Sequence, residues 1–501
     1  MDRRNKELTA AGLFGILTRF PFHSSSRNGT WKQNVAKVAI FPFLSKEKGV
    51  LFGNMCKNGY FCKKILIKMS SEEFREITEL VKREVVPAIG CTEPVAVAMC
   101  VARATELLGC VPARIEVLMS TNILKNAMGV GIPGTGMIGL PIAVALGALV
   151  GKSAYGLEVL RDTTPRAVEQ GKQMIEDGCI GLALKEEAPD ELYVEAHLWE
   201  KRPSQDDTES DVIVILSGNH TRIAQEKVRG ELLLDLPLTL SSEAEVDDVP
   251  LCMQRIWEYV NAVPLEEIAF IEASANMNME AARASLGHRY GHQLGHMLST
   301  EDKSNLIGDS TLGHIITYTC AACDARMSGV PVPVMTNSGS GNQGIAATLP
   351  VAVYAREHVV EPGTYVRALM LSNLTAIYIK QSLGRLSPLC GCIVASTGAS
   401  CGITYMMGGD FAQVCAAVKN MIANLTGMIC DGAKPSCSLK LSSGAGTALL
   451  SAMLAVQGHC VSSLEGIIDE DVDKSIHNLT SIGSRAMRET NLKVMDIMVN
   501  K

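Results

Sequence analysis

Apolar positions recur with helical period in EEFREITELVKREV (72–85) and again in PVAVAMCVARATELLG (94–109), which predicts two helices separated by a break at Pro87 and Gly90. RIEVLMS (114–120) predicts a strand that leads into the glycine-rich stretch KNAMGVGIPGTGMIGLPIAVALGALVG. Further strands are predicted at ELYVEAHLW (191–199), where Leu192, Val194, Ala196 and Leu198 alternate with larger or polar residues, and at DVIVILS (211–217). The polar run PSQDDTES between them reads as a solvated hairpin loop. From about residue 265 the pattern is mainly helical, punctuated by Gly, Pro, Asn and Ser. The expected fold is therefore α+β and predominantly α: an N-terminal α+β part with a small sheet, and a helical C-terminal catalytic part. A soft boundary near Pro264 gives parts at 69–264, carrying Cys91, and at 265–501.

Residues 1–68 stand apart from both. They hold thirteen Lys and Arg against three Asp and Glu, about +10 in a chain whose net charge is −7, and nine of its aromatic residues fall there without steady period. This basic, aromatic-rich leader is expected to be a poorly ordered extension, with the working protein starting near Met69. The acidic balance of the remainder and a pI near 5.9 argue against a nucleic-acid partner or an anionic membrane surface. Small molecules are the expected partners.

Four stretches (126–151, 327–355, 386–409 and 441–464) lack any Asp, Glu, Lys or Arg and are long enough to span a bilayer. Each is rich in glycine and small polar residues, and no interfacial aromatic belt accompanies them, so buried helices around a polar site are expected. A solute transporter with broken helices is the competing reading from another functional class.

Sixteen cysteines in a long chain without a clear export signal imply reduced thiols. Cys100, Cys110, Cys179, Cys252, Cys415 and Cys460 are expected to be small core residues. The chemistry-bearing candidates lie in motifs. RLSPLCGCIVASTGASCG supplies Cys390, Cys392 and Cys401, and MICDGAKPSCSLK supplies Cys430 and Cys437 on turn-forming sequence, where a loop can wrap an inorganic cluster; a zinc site or simple buried thiols are the alternatives. In AIGCTEP, Cys91 stands just before a helix whose dipole and free N–H groups favour a thiolate, able to act as base or nucleophile. A core thiol beside a tight turn is the alternative. TNSGSGNQG (336–344) reads as a glycine-rich turn entering a helix, with Asn337, Ser338, Asn342 and Gln343 as candidates to contact an anionic substrate.

Together AIGCTEP, NAMGVGIPGTG, TNSGSGNQG, SPLCGC and CDGAKPSC resemble the L-cysteine desulfidase family, itself related to the iron-sulfur L-serine dehydratases, over the chain from about Met69 to the C-terminus. The resemblance implies a cytoplasmic, oxygen-sensitive lyase that acts on a small amino acid, with homo-oligomerisation left open. It implies a [4Fe-4S] cluster held by Cys390, Cys430 and Cys437, with Cys392 the neighbouring alternative to Cys390, and Cys91 as proton acceptor. The reaction implied is elimination of hydrogen sulfide from L-cysteine to give pyruvate and ammonia. L-serine dehydration is the nearest alternative.

Other motifs carry less. Gly129, Gly131 and Gly134 spell G-x-G-x-x-G, but Pro133 and Pro141 interrupt the helix a dinucleotide site needs, so close backbone packing near the active site is expected instead. His288, His292 and His296 have the spacing of one helical face, without the Glu of a zinc-protease pattern. CAAC at Cys320–Cys323 lies in an apolar helical context and is expected in the core. A pyridoxal-phosphate enzyme could perform the same elimination, with Lys125, Lys434 or Lys440 as imine.

Overall fold

The computed structural model describes residues 69–500 apart from 202–208, 240–248, 300–306, 308 and 385. The leader and most of the PSQDDTES loop lie outside the described residues. The described residues form one compact unit.

Helix α1 (Ser71–Glu84) opens with a capping box: the Ser70 hydroxyl accepts from the Glu73 amide while the Glu73 carboxylate accepts from the Ser70 amide, satisfying two otherwise orphaned donors. Its apolar face buries Ile77, Leu80 and Val81. After the short strand β1 (Pro87–Ile89) come α2 (Thr92–Leu108), β2 (Arg114–Met119), α3 (Thr121–Ala127), α4 (Leu140–Leu149) and α5 (Pro165–Glu176). Strands β3 (Ile180–Leu184), β4 (Tyr193–Trp199), β5 (Val212–Ser217), β6 (Ile223–Val228) and β7 (Glu231–Asp235) then complete a six-stranded sheet in the order β3-β2-β4-β5-β6-β7. Only the β2–β3 pair is parallel. The alternating apolar positions of β4 bury Val194, Ala196 and Leu198 under α2, whose Cys100 thiol donates to the Val214 carbonyl of β5 at 3.3 Å.

The rest is helical. It runs through α6 (Met253–Ala262), the single turn α7 (Leu265–Ile268), α8 (Glu272–Leu286), α9 (Leu294–Ser299) and α10 (Thr311–Met327). Strand β8 (Pro333–Met335) follows and returns to pair antiparallel with β1. Then come α11 (Gly341–Glu357), α12 (Pro362–Leu383), α13 (Gly391–Met406), α14 (Phe411–Leu425), α15 (Cys437–Val456), α16 (Val472–Ser481) and α17 (Arg488–Val499). Of the charge-free stretches, 327–355 and 386–409 supply the buried helices α11 and α13 of this stack, where small residues let backbones meet. A Cβ placed on Gly398 of α13 would lie 2.1 Å from the Ser372 carbonyl of α12. Among the described residues one helix, Cys437–Val456, is long and apolar enough to cross a membrane, and 44% of its apolar window is buried within the protein.

Two hydrophobic clusters organise the unit. One is built on α2, α4 and the sheet, and the other on α1 and the C-terminal helices. Packing does not divide at Pro264: Ile77, Leu80, Cys91 and Val130 belong to the second cluster, and Leu386 belongs to the first.

Several expectations change at this level. The hairpin signals gave β2, β4 and β5 but missed β3, β6 and β7, whose sequences carry weaker alternation. Cys110 and Cys460 are exposed, and Cys179, Cys252 and Cys415 are half-buried, so of the expected core thiols only Cys100 is fully enclosed. His288, His292 and His296 do not share a helical face. Helix α8 ends at Leu286, and Gly291 and Gln293 take positive φ, which turns the chain between them. Cys320 and Cys323 lie buried within α10. Gly131 meets backbone, as its motif suggested: a Cβ there would stand 2.4 Å from the Ser328 carbonyl carbon.

Candidate active site

Four helix amino termini converge on one cavity. Cys91 is the N-cap of α2, Ser340 the N-cap of α11, Cys390 the N-cap of α13, and Cys437 the first residue of α15; all four line the cavity. Each terminus directs unpaired amides and the equivalent of about half a positive charge inward. The buried cations Arg326 and Lys380, with Lys440, line the same walls. The result is a site suited to anions.

Cys91 is enclosed, and its thiol donates to the Glu93 carboxylate at 2.9 Å. Glu93 also accepts from the Thr92 hydroxyl at 3.0 Å and from the Asn126 amide at 3.0 Å. Burial pushes the thiol well above its usual range, and the Glu93 charge adds to this; Arg326 opposes them. The helix terminus alone would favour a thiolate, but desolvation is the larger effect, so the resting group is a neutral thiol. Although burial works to raise the Glu93 carboxyl, His220, the Cys91 hydrogen bond and Arg326 together hold it below the ordinary carboxylate range. Glu93 lines the cavity beside Cys91 and was missed as a chemical group in the sequence, where it resembled a helix-capping residue.

The segments carrying Cys390 and Cys430 are laced together. Leu389 and Ile429 form a β-bridge, the Cys390 amide donates to Met428, and the Cys430 amide donates to Pro388 at 2.6 Å. Cys437 closes the loop that follows, its thiol 3.7 Å from the Gly432 carbonyl. Gly432, at φ 92°, seats that loop on α3: a Cβ there would come within 2.3 Å of the Lys125 carbonyl. Cys390, Cys392, Cys430 and Cys437 all line the cavity.

The Cys392 thiol donates to Cys390 and, against burial and with help from Lys440 and the amides of Cys392 and Ile393, brings Cys390 down to about 7. The same bond drives Cys392 upward. Burial raises Cys430 and takes Cys437 to about 12, and proximity to Cys390 raises both further.

Asn342 and Gln343 line the cavity, while Asn337 and Ser338 do not. The Asn337 amide donates to Asn373 at 3.0 Å, and the Ser338 hydroxyl donates to Asn337 at 3.0 Å. They shape the turn, in which Ser338 adopts a left-handed φ of 48°. Arg326 is held by the Gly90 carbonyl at 3.1 Å and by Asn342 Oδ1 at 3.0 Å. Gln343 Oε1 is buried at the wall with no hydrogen-bond partner, in space kept by Gly391, where a Cβ would lie 2.8 Å from Gln343 Cδ.

Arg326 and Lys380 left no motif signal, because single charged residues inside apolar helices resemble ordinary helix residues until the helices assemble. The three lysines considered as imine carriers are pinned. Lys125 donates to Asn491 and Cys430, Lys434 to the Lys125 carbonyl, and Lys440 to Asp431.

Among the described residues, no three His, Cys, Asp or Glu side chains stand close enough to hold a single metal ion. The ligands of a cubane sit on separate corners and stand farther apart. The donor set fits such a group chemically: Cys390 already ionises more readily than a free thiol, Cys430 and Cys437, made harder to ionise by burial and by their thiol neighbour, would be relieved by a cationic core, and the cavity already holds an orphaned acceptor.

An α+β scaffold with a cysteine-lined, anion-accepting cavity is an arrangement for chemistry on a small charged molecule. The chain belongs to the serine dehydratase alpha chain family, whose profile matches residues 154–496. It is 56% identical over 433 residues to a UPF0597 protein of Bacteroides fragilis, covering 86% of this chain and 100% of the relative. It is 56% identical over 433 residues to one of Bacteroides thetaiotaomicron, covering 86% of this chain and 99% of the relative. A UPF0597 protein of Oleidesulfovibrio alaskensis is 42% identical over 434 residues, covering 86% of this chain and 100% of the relative. Cys390, Cys430, Cys437, Asn342 and Gln343 fall within the family match; Cys91 lies before it.

Proposed function

We propose that this protein is a lyase that eliminates hydrogen sulfide from L-cysteine, with Cys390, Cys430 and Cys437 holding a [4Fe-4S] cluster. The observation that carries this reading is the gathering of those three thiols, the Cys91–Glu93 pair and Gln343 around one cavity fed by four helix amino termini. Between Cys390 and Cys392, the lowered pKa of Cys390 and the donor role of Cys392 favour Cys390 as the ligand. When bound through three cysteines, such a cluster supplies an open iron position, a Lewis acid toward a leaving sulfur or oxygen.

The chain's own groups do the rest. The amides at the start of α11, together with Asn342 and Gln343, receive the substrate carboxylate, and Arg326 holds Asn342 in place. Cys91 passes its proton to Glu93 and takes the α-proton. The Cα–H electron pair becomes the Cα–Cβ double bond as the Cβ–S bond breaks and hydrosulfide departs. The aminoacrylate then tautomerises and hydrolyses to pyruvate and ammonia. Base catalysis of this kind contributes roughly 10²- to 10⁴-fold.

The family match supports a second reading, L-serine dehydration by the same residues. Hydroxide is a harder and poorer leaving group than hydrosulfide, so the two substrates are expected to differ strongly in turnover. Anaerobic purification with iron and acid-labile sulfide analysis, then parallel assays of pyruvate from L-cysteine and L-serine, decides between them. Protein that carries iron and sulfide yet turns over neither amino acid would sink both.

A further inference from the structure

Lys125 is the odd charge in this molecule. Its side chain is 1% exposed, yet among the described residues no carboxylate forms an ion pair with it. Its ammonium donates only to neutral oxygens: Asn491 Oδ1 at 2.6 Å and the Cys430 carbonyl at 3.4 Å. Isolated buried charges are costly and persist where an opposite charge compensates them. Burial works against the charged form, and the charges of Glu93, Asp431 and Glu191 oppose that only from a distance, without touching the ammonium.

The surroundings show how firmly this ammonium is aimed. Asn491 of α17 reaches across to Asn122 of α3 at 2.7 Å, which orients its amide so that the oxygen faces Lys125. The Lys125 carbonyl in turn accepts from Lys434 at 3.1 Å and sits against Gly432. One residue of α3 therefore grips the Cys430–Cys437 loop from both its backbone and its side chain, and the last helix of the chain locks it there.

We propose that Lys125 is a positioning residue and counter-charge for an anionic cluster held at Cys430, with Asn491 and Asn122 fixing its direction. This inference rests on the cluster assigned under the proposed function, but not on the substrate. A net-negative group of thiolates and sulfides beside Cys430 is the close compensating charge that the buried ammonium lacks among its direct partners. The ammonium favours whichever redox state carries more negative charge, and therefore favours reduction.

The test uses the full chain purified anaerobically, as wild type, Lys125→Met and Lys125→Arg. The readouts are iron and sulfide per chain, the cluster's midpoint potential by optical titration, and thermal midpoints of iron-loaded and iron-free protein. Lys125→Met is expected to lower the potential enough to shift the reduced-to-oxidised ratio at least tenfold, which is 59 mV for one electron. It should lower the thermal midpoint of the loaded protein more than that of the iron-free chain, and Lys125→Arg should restore most of the potential. An unchanged potential in Lys125→Met, or equal loss of thermal stability with and without iron, overturns the proposal. No readout involves turnover, so a failure of the elimination reading registers separately, in the amino acid assays.

Discussion

Cys91 and Glu93, two residues apart at the mouth of α2, form a thiol–carboxylate pair 2.9 Å across, buried together beneath the cavity. The carboxylate raises the thiol's pKa and is also the acceptor that can take its proton. Removing either partner should therefore have different signatures. Cys91→Ala is expected to leave iron content intact while turnover collapses. Glu93→Gln should cut turnover by about 10²- to 10⁴-fold, the range for loss of base catalysis. The same change removes a negative charge, so Cys91 should become more readily alkylated by iodoacetamide near neutral pH, followed by peptide mass spectrometry. An unchanged alkylation rate would show that Glu93 does not govern the thiol.

The cysteine assignments separate by metal analysis. Cys430→Ala and Cys437→Ala should lose iron, sulfide and activity together. Cys390→Ala should do the same, whereas Cys392→Ala should keep its iron, because Cys392 serves as hydrogen-bond donor to its neighbour. Iron retained by Cys390→Ala and lost by Cys392→Ala would reverse those two roles.

Helix contact in the C-terminal stack sets a stability prediction. Gly398→Ala gains about 0.5–1 kcal/mol of helix propensity, but its methyl would meet the Ser372 carbonyl at 2.1 Å. Overpacking against backbone costs roughly 1–3 kcal/mol or more. The clash outweighs the propensity, and thermal melts should show a lower midpoint, lower still for Gly398→Val.

A pH dependence follows from the sheet. Glu195 accepts hydrogen bonds from His197 at 2.9 Å and from Lys185 and Tyr193 at 2.8 Å. Burial works to raise this carboxyl, yet those bonds hold it at about 2, against an ordinary 4.5. A lowered folded-state value means stability that is fully present above pH 4.5 and drains away as pH falls toward 2. The difference in thermal midpoint between wild type and Glu195→Gln should therefore be greatest above pH 4.5 and vanish near pH 2.

Much of this architecture could be read from residue order alone, and the exceptions have physical causes. The α+β class, α1, α2 and the three most regularly alternating strands follow from periodicity. The turn chemistry of TNSGSGNQG placed Gln343 at a helix start, and that of CDGAKPSC placed Cys430 and Cys437 on a loop, though not Cys437 at the start of α15. What periodicity could not supply was desolvation. The sequence position of Cys91 argues for a thiolate, and only its enclosure beside Glu93 reverses that. Nor could spacing distinguish Asn337 and Ser338, whose side chains bond to Asn373 of α12 and to each other, from Asn342 and Gln343, which line the cavity one helical turn later. Arg326 and Lys125 are isolated cations in sequence and acquire meaning only from partners more than ten residues away.

The pairing of β1 with β8 joins Pro87 to Met335, roughly 250 residues apart. At about 5–20 residues per second of synthesis, the chain bearing Cys91 spends on the order of 10–50 seconds outside the ribosome before its strand partner exists. Truncated or stalled products ending before Pro333 should thus expose an unpaired edge and an unguarded thiol, making them natural clients for chaperones and proteases.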